Sequence, residues 1–233
     1  GFSFQAEYQF SKGLDTVPTS GGPQRWQHPE LDYGNSLGLA RHWLTFNYVY
    51  ELPFGKGRRF LHSINGVENA VLGGWQIAGI STYNTGMPFS VNFSQTGTGI
   101  TGWWGGRADR VPGVSLTKGR SHSHDIVNGI PWFNTDAFAP PQPWQWGNSA
   151  RDLLFGPGSW NWDMSGSKNF HMWERLNMNF RADFFDAFNH FNPGNPVANI
   201  ADTRDGGNPV ANSGMITGGD GQRAIQLSLS AKF

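Results

Sequence analysis

With 233 residues and no cysteine, the chain excludes a disulfide framework and thiolate chemistry, and a formal net charge of zero gives no pointer to a polyanionic partner such as nucleic acid. No run of about 18 apolar residues occurs, so no transmembrane helix is written into it. Charged residues make up only 15%, aromatics equal them at 15%, and 32 Gly with 14 Pro favour turns and strands over helices.

In chain order, the first predicted strand covers residues 2–10. Phe2, Phe4, Ala6, Tyr8 and Phe10 alternate with Ser3, Gln5, Glu7 and Gln9, and side chains of a strand alternate faces with period two. The second sets Leu44, Phe46, Tyr48, Tyr50 and Leu52 against Thr45, Asn47, Val49 and Glu51. The third is weaker, with Trp75, Ile77, Gly79, Ser81 and Tyr83 against Gln76, Ala78, Ile80 and Thr82. It is expected to resume through Phe89, Val91 and Phe93 after a bulge at residues 85–88. The fourth sets Trp160, Trp162 and Met164 against Asn161, Asp163 and Ser165 and runs on to Phe170. The fifth sets Leu176, Met178, Phe180, Ala182 and Phe184 against Arg175, Asn177, Asn179, Arg181 and Asp183. The sixth closes the chain, with Ile225, Leu227, Leu229, Ala231 and Phe233 on one face and Ala224, Gln226, Ser228, Ser230 and Lys232 on the other.

Such strands suit a half-buried soluble sheet or a membrane barrel with lipid on one face and a wet lumen on the other. Averaged hydropathy does not exclude the barrel, because the apolar face hides in the alternation. The connections separate the two readings. Those after strands one, three and five span about 26, more than about 60 and about 35 residues, whereas the one at residues 171–173 needs three or four. Membrane barrels carry long loops outside and short turns on the periplasmic side. One misfit stands: the second connection, about 20 residues, is long for a periplasmic turn. The expected fold is therefore all-β: an antiparallel, up-and-down segment of a transmembrane β-barrel with long extracellular loops. Six strands fall short of the smallest barrels of about eight, and an open edge cannot face lipid, so more strands are expected to complete it. The rivals are a secreted, soluble β-sandwich that binds carbohydrate and a passive, porin-like channel.

Several stretches in order resemble the C-terminal barrel portion of TonB-dependent outer-membrane receptors. The likeness is to the Oar-like type with an N-terminal carboxypeptidase-regulatory-like domain, abundant in Acidobacteria. The stretches are residues 51–60 (ELPFGKGRRF), 73–80 (GGWQIAGI) with 85–91 (TGMPFSV), 107–113 (RADRVPG), 132–138 (WFNTDAF), 156–165 (GPGSWNWDMS), 179–190 (NFRADFFDAFNH) and the terminal Phe233. The resemblance implies a barrel of about 22 strands around a plug, of which this chain supplies the last six. It also implies energised uptake in the bacterial outer membrane of an unidentified substrate (glycan, peptide or chelate), the glycan or peptide being suggested by the aromatic loops. The implied partners are outer-membrane lipid, the plug of the same full-length chain, the TonB complex and the barrel-assembly machinery that reads the last strand. The plug, TonB box, signal peptide and regulatory-like domain do not occur in this sequence, so the expectation is a C-terminal portion of a longer chain, or a processed chain.

Site residues follow from position and chemistry. Trp103, Trp104, Trp132, Trp144 and Trp146 crowd the third long connection and are candidates for stacking on a ligand; the competing role is packing that loop. Trp43, Trp75, Trp160, Trp162 and Trp173 fall near strand ends, where interfacial anchoring is expected. Glu7, Arg175, Arg181 and Asp183 are assigned to the lumen, and Ile225, Leu227, Leu229 and Phe233 to the assembly strand. No enzyme, cofactor or metal is expected. His122, His124 and Asp125 lack a matched fourth ligand, residues 202–206 lack calcium-loop spacing, and no Gly-x-Ser-x-Gly elbow occurs.

Overall fold

The computed structural model describes residues 1–16, 23–25, 27–93, 106–117, 129–173, 176–200, 210 and 212–232. Its frame is one six-stranded antiparallel sheet in consecutive order: β1 (Phe2–Phe10), β2 (His42–Glu51), β3 (Trp75–Asn84), β4 (Ser159–Trp173), β5 (Leu176–Phe185) and β6 (Ala224–Lys232). The register runs without a crossover, with Phe4 opposite Tyr48, Tyr48 opposite Gly79, Gly79 opposite Met164, Met164 opposite Phe184 and Phe184 opposite Ile225. β1 and β6 are the two edges and do not pair with each other, so the sheet is open rather than a closed ring. This matches the expected up-and-down segment. The sandwich reading fails, because among the described residues no second sheet of comparable size packs on either face.

The period-two pattern is expressed as two unlike faces. One carries an aromatic ladder: Phe2 meets Tyr50, Phe4 meets Phe46, Tyr48 meets Trp162 edge-on, and Trp75 meets Phe180 edge-on. Tyr48 lies over Gly79, where an added Cβ would come within 2.8 Å of the ring; the glycine leaves the aromatic its seat. Phe4, Tyr8, Leu227 and Leu229 of the edge strands are more than 60% exposed, so this face is apolar and uncovered. The opposite face holds Gln5, Asn47, Asp163, Ser165, Arg181, Asp183, Gln226 and Ser228 at matching register positions.

Two sequence expectations need correction. β3 ends at Asn84 and does not resume; Pro88–Phe89 pairs with Leu154–Phe155, and Asn92–Phe93 pairs in parallel with Asn199–Ile200. Phe89, Val91 and Phe93 are accordingly buried in a core apart from the sheet. The departure is fixed at Gly86, where a Cβ would overlap the carbonyl of Gly156. The second correction concerns the short turn. β4 extends through Trp173 with a register slip between His171 and Trp173, so residues 171–173 belong to the strand rather than to a turn.

The connections at 11–41, 85–158 and 186–223 leave from one end of the sheet. They build a layer around Phe89, Val91, Phe93, Ala108, Phe133, Phe138, Leu154 and Ile200. The connection at 52–74, which carries the helix α1 (Gly66–Leu72), leaves from the other end together with the β4–β5 turn.

Candidate functional site: the polar concavity and the loop layer

Five strands contribute to an open concavity of about 640 Å³ on the polar face, lined in part by Gln5, Asn47, Asp163, Ser165, Arg181 and Asp183. These residues share the face because they share strand parity. Arg181 Nε donates to both oxygens of Asp183, at 2.8 and 3.0 Å. Asp163 accepts from the backbone N–H of Asp186 at 2.8 Å and from Asn161 Nδ2 at 3.0 Å. Arg181 keeps about half its side chain in solvent, which leaves guanidinium N–H groups free to meet a solute or another part of the protein. Glu7 lies opposite Thr45 on the same face and is exposed. Arg175 lies outside the described residues.

Over one end of this face stands the loop layer, held by buried charge. Arg107 pairs with Asp32, and the two side chains are 7% and 1% exposed. The other two guanidinium nitrogens are also engaged: Nε donates to the Ser149 carbonyl at 2.9 Å and Nη2 to the Leu31 carbonyl at 2.6 Å. Gln24 completes the set, its N–H donating to Asp32 Oδ2 and its side-chain oxygen accepting from the Arg107 N–H, each at 2.9 Å. Arg151 repeats the device, donating to the Asp32 carbonyl at 2.8 Å and pairing with Asp15. Both arginines thereby fasten the 11–41 connection to the 85–158 connection. Buried ions hold only when their remaining hydrogen-bonding capacity is met, as here. Next to Arg151, burial pushes the Asp152 carboxyl above the ordinary carboxylate range; the Ser90 hydroxyl and the Arg151 guanidinium pull the other way.

The tryptophans do not form one platform. Trp132 is half-buried against the loop core and donates its indole N–H to the Phe155 carbonyl at 2.9 Å. Trp146 is half-buried, whereas Trp144 is 76% exposed at a positive φ of 64°. Trp103 and Trp104 lie outside the described residues, as do His122, His124 and Asp125. Among the described residues no group of three or more His, Asp or Glu is arranged to hold a metal. Trp75, Trp160 and Trp162 sit on the apolar face; Trp160 and Trp162 join Phe188 in a cluster at the loop end. Trp43 breaks the expected pattern. It has the parity of Gln9 and Asn84, so it stands on the polar face rather than as a lipid-side anchor. Ile225, Leu227 and Leu229 lie on the apolar face of β6, and Phe233 is outside the described residues.

Sequence reasoning missed Asp32, Arg107, Arg151 and Lys168. Arg107 opened one of the resembling stretches, but no spacing connects it to Asp32, 75 residues earlier. Lys168 has apolar-face parity in β4, a charge where the alternation asks for an apolar residue, and that mismatch was a legible signal.

A family model described as an outer membrane beta barrel domain matches residues 1–226. No curated protein and no solved structure matches the chain significantly.

Proposed function

Because this chain belongs to the outer membrane beta barrel domain family and so to the bacterial outer membrane, we propose that it is the C-terminal barrel portion of a TonB-dependent receptor. In this reading it is a non-enzymatic part of an energised uptake system, of the Oar-like type, for a glycan, peptide or chelate. One observation carries it. Two long connections share one core at one end of a sheet whose two faces suit lipid and water, and buried arginine pairs fasten a third connection to it. A structured cap beside a polar concavity suits capture of a solute before entry, whereas a passive channel needs only an open lumen. The open edges of β1 and β6 support the larger barrel, because unpaired backbone groups cannot be left in hydrocarbon. The plug of the full-length protein would fill the lumen and meet Glu7, Arg181 and Asp183. The assembly machinery would read β6 with Phe233.

Orientation is part of the proposal: 13–38, 94–157 and 187–221 outside, the β4–β5 turn in the periplasm. With the full-length protein on intact cells, a maleimide should label a cysteine at Gly129 and should not label one at Met172 until the outer membrane is permeabilised. The reverse pattern ends the orientation. Crosslinking to TonB in energised cells tests the receptor. Stable TonB-independent conductance of the full-length protein in planar bilayers would favour the passive channel instead.

A further inference from the structure

The 52–74 connection carries more structure than a periplasmic turn requires, and its polarity is reversed. Helix α1 is well capped: the Asn65 side chain accepts from the Glu68 N–H at 2.8 Å, and the Glu68 carboxylate accepts from the Asn65 N–H at 3.1 Å. A surface helix of a water-soluble protein turns its apolar stripe inward. Here the polar residue faces the protein: Asn69 Oδ1 accepts from the Lys56 N–H at 2.7 Å. The apolar residues face out, with Val67 78%, Val71 63% and Leu72 48% exposed.

The helix is fastened on the lipid-facing side of the sheet. Trp75, the first residue of β3, donates its indole N–H to the Val71 carbonyl at 2.8 Å and stacks edge-on against Phe180. Lys168, which has the same parity, directs Nζ to the carbonyls of Asn69 and Gly73. Those carbonyls lie at the C-terminal end of α1: Asn69 is in its last turn and also accepts from the Gly73 N–H at 3.0 Å, and Gly73 is the C-cap, so a cation is favoured there. Lys168 is 4% exposed, with Phe170 at 5.2 Å and Trp75 at 5.7 Å from ring centroid to Nζ. Lys168 therefore satisfies its charge on the helix instead of presenting it to hydrocarbon. The same connection carries Lys56, Arg58 and Arg59, all exposed, against one carboxylate, Glu68. Exposed Phe54 and Phe60 stand beside them with ring centroids 5.7 Å apart.

We propose that the 52–74 connection is an in-plane membrane anchor. Val67, Val71 and Leu72 enter the acyl boundary of the leaflet opposite the loop layer, and Lys56, Arg58 and Arg59 contact the phosphates of anionic phospholipid there. The occupant follows from continuity and charge. The helix prolongs the apolar face that the family places in lipid, and a basic rim beside an apolar face is what an anionic interface attracts. Under the orientation proposed above, that leaflet is the periplasmic one. This accounts for the one connection too long for its side of the barrel.

The test uses the full-length protein in phosphatidylethanolamine–phosphatidylglycerol vesicles, with a nitroxide on Val71→Cys and, separately, on Gly57→Cys. The expected result is a Val71 label more accessible to oxygen than to a water-soluble nickel chelate, and a Gly57 label at headgroup depth. The Arg58→Glu, Arg59→Glu pair should raise the Val71 label toward water in these vesicles but not in pure phosphatidylcholine. A Val71 label open to the chelate, or shielded from both reagents by protein, overturns the anchor. A depth unchanged by the charge reversal overturns the phospholipid assignment. Depth is read without TonB or substrate, so failure of the receptor reading would leave this result standing.

Discussion

The sheet and the loop layer obey opposite rules. In the sheet, Phe4 and Leu227 are 64% and 66% exposed, while charged Arg181 and Asp183 line the concave face. In the loop layer, Phe133 and Val91 are 2% and 1% exposed, and Arg107 and Asp32 enter the interior as a satisfied pair. One chain is thus built for two solvents. Where lipid is the solvent, apolar surface needs no cover; where water is, the same residues must be buried together. Exposure of a phenylalanine in this molecule therefore reports which solvent it meets, not a packing defect.

The comparison breaks or holds on matched truncations. Phe133→Ala leaves a cavity in the loop core and should cost about 3–5 kcal/mol. Phe4→Ala removes exposed ring contacts with Phe2 and Phe46 but leaves no cavity, and should cost about 0.2–1 kcal/mol. Hydrogen exchange of the full-length protein, read separately in loop and strand peptides, checks both; equal costs would erase the distinction. Arg107→Ala abandons the buried Asp32 carboxylate and should cost the loop layer about 3–5 kcal/mol. Its effect should stay in the peptides of 23–41, 85–93 and 129–158, with heat-modifiable migration of the barrel unchanged.

A charge in the sheet should discriminate faces. Leu227→Arg places the guanidinium in lipid at about mid-strand and should cost about 2–4 kcal/mol. Ser228→Arg, opposite Arg181 on the polar face, should cost much less. The heat-modifiable fraction in outer membranes measures both, and equal assembly would mean the faces are reversed.

The smallest effect sharpens the electrostatics of the loop layer. Asp152 is buried with its carboxyl pushed upward, so it holds its proton more tightly folded than unfolded. Its contribution to stability is therefore lost as pH rises from the ordinary carboxylate value through the elevated one. Asp152→Asn keeps an acceptor for Ser90 and suits the positive φ of 51°. Relative to the parent, it should gain stability across that window, by less than about 1 kcal/mol, then hold level. A constant difference from acid to neutral pH, measured by loop exchange, would contradict it.

Alternation alone determined the six sheet strands, their faces and their simple order, because a period of two is local and each strand pairs with its sequence neighbour. The glycine and proline near residues 85–88 suit a bulge within that same pattern. The sequence could not reveal that Phe89, Val91 and Phe93 turn away to pair with residues 154–155 and 199–200, since those partners lie far along the chain. The Trp-rich connection was visible as a cluster in sequence, but Trp132 and Trp144 differ in burial for reasons of three-dimensional packing. The same holds for Arg107 with Asp32 and for Lys168 with the end of α1. Composition and period write the solvent each face will meet. Which group satisfies a charge across 75 or 95 residues is decided only when tertiary structure brings their elements together, because no local rule carries that distance.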